Sequence, residues 1–61
     1  MTEQEFLQEK GRFETNPALS VEIRKGFGRN WIVENLNTAE TRQGEFGFCF
    51  DLYTEGCAGI H

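Results

Sequence analysis

The stretch Glu45-Phe46-Gly47-Phe48-Cys49-Phe50-Asp51-Leu52-Tyr53 decides the reading of the fold, because its apolar residues recur with period two. Taken as a half-buried strand, it sets Phe46, Phe48, Phe50 and Leu52 on one face. Glu45, Gly47, Cys49, Asp51 and Tyr53 then lie on the other, and three of the chain's six phenylalanines line one side of a sheet. Such a row marks a core. Nothing in it makes a catalytic constellation.

Upstream of that stretch, Gln43-Gly44 reads as a tight turn leading into it. Before the turn, Trp31-Ile32-Val33 opens a second strand that runs at least to Leu36 and at furthest to Thr41. Gly26-Phe27-Gly28-Arg29-Asn30 punctuates the chain as a loop. Leu19, Val21 and Ile23 alternate with Ser20, Glu22 and Arg24, giving a first strand over residues 18–25 with one wet face.

The amino end reads as a helix near residues 2–13. Thr2 and Glu5 form a Thr-x-x-Glu capping box, Glu3 and Glu5 suit the positive end of the helix dipole, and Phe6, Leu7 and Phe13 supply an apolar stripe. Gly11 weakens its middle, and Asn16-Pro17 forbids continuation. The expected fold is therefore α+β: a short N-terminal helix packed on a three-stranded antiparallel β-meander, in two layers. Residues 1–61 form one small domain in this reading, with 54–61 a tail that has no period. Phe6, Phe13, Leu19, Val21, Ile23, Phe46, Phe48 and Phe50 are its expected core, so Phe48→Ala should unfold the domain and Trp31→Ala should spare it.

A chain of 61 residues buries only roughly 60% of the surface its unfolded form exposes, so stability is thin without a disulfide, metal, oligomer or partner. Cys49 and Cys57 would need a sharp reversal over Thr54 to Gly56 to bridge, and free thiols are the expectation. Cys49, Cys57 and His61 have Cys-x7-Cys-x3-His spacing, which lacks the close Cys-x2-Cys pair of structural zinc. No metal and no cofactor is expected. Cys49 with His61 can be drawn as a thiol–imidazole pair, but a mid-strand cysteine with no thiolate stabiliser beside it reads as packing, not catalysis. Met1-Thr2-Glu3-Gln4-Glu5 is acidic where a secretory signal is basic, and no apolar run reaches spanning length; a cytoplasmic, reducing setting is the expectation.

Charge narrows the partners, with ten acidic and six basic residues giving a formal balance of −4. Arg24, Lys25 and Arg29 gather in one loop region together with Phe27 and Trp31, the combination that stacks and neutralises a single-stranded nucleic acid. Lys25-Gly26-Phe27-Gly28 resembles the opening of the RNP1 motif of RNA-recognition and cold-shock domains, and Phe46-Gly47-Phe48-Cys49 resembles its middle. The first fragment departs from the motif at Arg29 and Asn30, where the family has an aromatic and a branched apolar residue. The second lacks the basic start.

The strands carry more apolar side chains than one helix covers. Trp31 and Val33 point to one side of strand two and Ile32 and Leu36 to the other, while Cys49 and Tyr53 lie opposite the phenylalanine row. An uncovered face bearing Trp31 and Tyr53, rimmed by Glu45 and Asp51 and joined by Phe27 and Arg29 from the loop, reads as the partner-binding surface. The expected function is that of a small, acidic, non-catalytic protein-binding module, an inhibitor or adaptor of the kind phages and mobile elements encode against a host nuclease or defence protein. Its acids would meet a basic groove on a nucleic-acid-handling protein. The alternatives are single-stranded nucleic-acid binding through Arg24, Lys25, Phe27, Arg29 and Trp31, and a purely structural homodimer contact.

Overall fold

The computed structural model describes residues 1–55. In chain order the elements are α1 (Glu3–Glu9), β1 (Phe13–Asn16), β2 (Val21–Lys25), β3 (Trp31–Asn35), β4 (Thr41–Gly44) and α2 (Phe46–Glu55). The four strands form one antiparallel meander in the order β1-β2-β3-β4. The class is α+β, as the residue patterns imply, but the sheet has four strands and the chain two helices.

Helix α1 starts where its capping box says it should: Glu5 N–H donates to Thr2 Oγ1 at 3.2 Å and Thr2 N–H donates to Glu5 Oε1 at 2.8 Å. The Thr2 backbone bond holds the Glu5 carboxyl below its ordinary range. The helix ends earlier than residue 13, because Gly11 adopts φ +87° and turns the chain into β1. Phe13, read as the last residue of the helix, opens an edge strand that runs to Asn16 instead. Four residues are too few to show a period of their own.

Strands β2 and β3 hold the pairing Ile23↔Val33 at the sheet centre, and the first strand begins at Val21 rather than at residue 18. Asn35 stops the next strand. Its Oδ1 accepts from Asn37 N at 2.9 Å and Thr38 N at 3.2 Å, and Ala39 N–H donates to Asn35 O at 2.7 Å, so the chain reverses into β4 where a longer second strand was expected.

The largest correction concerns the stretch from Phe46 to Tyr53, which is helix α2 and not a strand. The same residues carry both periods. Phe46, Cys49 and Tyr53 are buried at helical spacing and Phe50 packs against them, whereas Phe48, in the same row as Phe46 when read as a strand, is 51% exposed. With β1 and β4 completing the sheet, the remaining need is a cover for Val21, Ile23, Trp31 and Val33, and α1 with seven residues is too short to supply it alone.

Both helices lie over one face. Phe6 meets Trp31 edge-on at 5.3 Å between centroids, Trp31 meets Phe46 at 5.1 Å, and Phe46 stacks on Phe50 at 5.1 Å. Phe6, Val21, Ile23 and Phe46 are core as expected, and Phe50 is partly buried against them. Phe13 and Leu19 are exposed, one on the open face of an edge strand and the other in the β1–β2 turn.

Candidate functional site

The pairing register sorts every sheet residue to a face, since directly opposed residues share one. Glu14, Ile23, Val33 and Arg42 form one row beneath the helices, with Lys25, Trp31 and Gly44 further along. On the open face Phe13, Arg24, Ile32 and Gln43 form one row and Thr15, Glu22, Glu34 and Thr41 the next. No helix of the described residues covers that second face. Its centre is an ion cluster: Arg24 Nη1 donates to Glu34 Oε1 at 2.8 Å and to Glu22 Oε1 at 3.0 Å. The two carboxylates, Glu34 first, raise the Arg24 pKa further, so Arg24 is committed to its neighbours.

One end of the open face is different in kind. The β2–β3 hairpin closes through Gly26 N–H to Asn30 O at 2.7 Å and Asn30 N–H to Phe27 O at 3.1 Å, with Gly28 in the left-handed region at φ +64°. Lys25 Nζ donates to the Gly28 carbonyl and stands 5.7 Å from the Trp31 ring centroid. These contacts hold the loop shut and turn Phe27 outward, where it is 96% exposed. Gly26 lets Asn30 and Ile32 pack close beside it: a Cβ there would lie 3.1 Å from Asn30 O and 3.4 Å from Ile32 Cδ1.

The start of β1 comes to the same place. Lys25 N–H donates to Arg12 O at 2.7 Å and Phe13 lies opposite Arg24, so Arg12 and Phe13 adjoin the hairpin although they are far from it in sequence. Phe13 is 59% exposed. Arg12 and Arg29 are exposed and enter no ion pair among the described residues. Phe13 and Ile32 lie either side of Arg24 in one row at this end of the sheet, and Phe27 projects from the adjoining hairpin, with Arg12 and Arg29 their neighbours in the chain. Phe13 reads in sequence as part of a helical stripe, and only the register of β1 moves it here.

The residues proposed from sequence for partner contact divide. Phe27 and Arg29 are exposed together in the hairpin. Glu45 and Asp51 are exposed too, but at the β4–α2 junction and on α2 rather than around an aromatic sheet face. Trp31 and Tyr53 are excluded from any surface: both are core, Trp31 with no exposure at all, and its indole Nε1 donates to Glu3 Oε2 at 3.0 Å. Tyr53 is buried, and burial, followed by the charge of the Glu14 carboxylate, raises its pKa. The expected aromatic Trp–Tyr face does not exist, because Tyr53 belongs to α2 and α2 lies over Trp31. For the nucleic-acid alternative, Phe27 and Arg29 stay accessible, Arg24 and Lys25 are already engaged, and Trp31 is buried.

Cys49 is buried beneath α2 with its thiol 3.3 Å from the Trp31 carbonyl, and burial raises its pKa, which leaves it a packing residue. Cys57 and His61, with the bridge, metal and thiol–imidazole readings that use them, lie outside the described residues. Among the described residues no three His, Cys, Asp or Glu side chains gather to hold a metal, and no enclosed pocket forms. No helix of the described residues is long and apolar enough to cross a membrane. The chain matches no protein-family model, no curated protein and no solved structure.

Proposed function

We propose that the protein is a non-catalytic protein-binding module, acting as an inhibitor or adaptor, and that it engages its partner through the corner formed by the β2–β3 hairpin and the start of β1. The observation that carries this reading is Phe27, a phenylalanine 96% exposed at the tip of a hairpin closed by two backbone hydrogen bonds. A large apolar side chain held outward by a rigid turn binds with little loss of its own freedom, which is how aromatic anchors contribute most of an interface's affinity. Arg29 beside it is the other residue type enriched at such anchors.

The test uses the full chain, tagged, as bait in a cell lysate, followed by size-exclusion chromatography with light scattering and mass spectrometry. A stoichiometric protein partner present with the wild type and lost with Phe27→Ala supports the reading. Retention of that partner by Phe27→Ala moves the interface elsewhere, and co-elution of nuclease-sensitive material alone replaces the reading with nucleic-acid binding.

A further inference from the structure

Resting on the reading of the hairpin corner as a protein-docking surface, we infer that its partner presents an acid-rimmed apolar site, so that this acidic domain binds through a cationic corner. The chain carries a formal −4, yet Arg12 and Arg29, exposed and outside any ion pair among the described residues, stand beside Phe13 and Phe27. Six of the ten acids are placed elsewhere or already used. Glu3 bonds the Trp31 indole, Glu5 caps α1, Glu14 lies 3.7 Å from Lys10, and Glu22 and Glu34 hold Arg24. Glu45 is at the same end of the sheet but follows β4, two strands away from β2. A basic partner would meet two unpaired arginines at the centre of the contact, and like charges there oppose docking, whereas an acidic rim pairs them as the aromatics bury.

The same geometry disfavours a polynucleotide. A strand laid over the open face would run from the corner onto Glu22 and Glu34, and the corner offers only Arg12, Arg29 and Lys25, the last already bonded to the Gly28 carbonyl. So few cations release few counterions. An acidic protein site needs no continuation past the corner: Phe27 and Phe13 fill it, and carboxylates reach Arg12 and Arg29 from its edge.

The experiment selects the full-length protein against a displayed library of random peptides, and titrates it in parallel with labelled oligothymidylate. Phe27→Ala and the double variant Arg12→Glu/Arg29→Glu serve as probes, with circular dichroism as the check on folding, since all three side chains are exposed. The expected result is enrichment of peptides with Asp or Glu around an aromatic or branched apolar residue. Their affinity should fall about tenfold or more in each variant and weaken as salt is added. Enriched peptides that are basic, or that depend on Phe27 but not on the arginines, overturn the acidic partner and leave the protein-binding module standing. Oligothymidylate binding with no enriched peptide overturns both, as does self-association that Phe27→Ala abolishes.

Discussion

At the scale of the residue, Trp31 and Phe48 exchange the places that an alternating strand would give them. Trp31 is sealed by Phe6 and Phe46 and tied to Glu3, so Trp31→Ala removes a large side chain that is fully enclosed. Its expected loss is about 3–5 kcal/mol, comparable to the whole stability of a small domain. Phe48 is 51% exposed over Gly44, and Phe48→Ala should change stability by no more than about 0.5 kcal/mol. Urea denaturation of the two variants checks this, and a larger loss for Phe48→Ala would mean that residues 46–53 are not helical.

At the scale of the element, α2 holds a glycine where none is required. A Cβ at Gly47 meets nothing within 4 Å, and its φ lies outside the left-handed region, so the residue contributes only conformational freedom to the unfolded chain. Gly47→Ala should raise stability by about 0.5–1 kcal/mol and add helical ellipticity. A fall in stability would count against the helix. Gly44 is the opposite case: a Cβ there would come within 2.9 Å of Phe48 Cδ2, so the glycine that ends β4 admits the first turn of α2 close above it.

At the scale of the whole molecule, the Glu14 carboxylate of β1 acts on the Tyr53 phenol of α2 and lies 3.7 Å from Lys10 Nζ. Burial and then Glu14 raise the Tyr53 pKa above the ordinary 10.0, so the folded state holds the phenolic proton more tightly than the unfolded state does. The stability this contributes is complete below pH 10 and is lost as pH rises through the folded value. Tyr53→Phe, with no phenol to ionise, should keep its stability above that pH while the wild type loses its own. Tyr53 is the sole tyrosine, so tyrosinate absorbance reports its titration directly. Alkaline unfolding that is identical in both proteins would show that Tyr53 is not held this way.

Local chemistry determined by itself the α+β class, the capping box at Thr2, the strand centred on Val21 and Ile23, and the outward aromatic of the Phe27 hairpin. Each depends on neighbours in the chain: a cap three residues long, an alternation of five, a turn between two glycines. Residues 46–53 carry apolar side chains at both period two and helical spacing, and no local rule chooses between them. The choice falls to the sheet, whose four strands leave Trp31 and Val33 in need of cover that a ten-residue helix provides and a fifth strand does not. The hairpin corner was half legible for the same reason. Phe27 and Arg29 announce themselves within one loop, while Arg12 and Phe13 join them only because β1 pairs with β2, a contact between segments whose register no single stretch encodes.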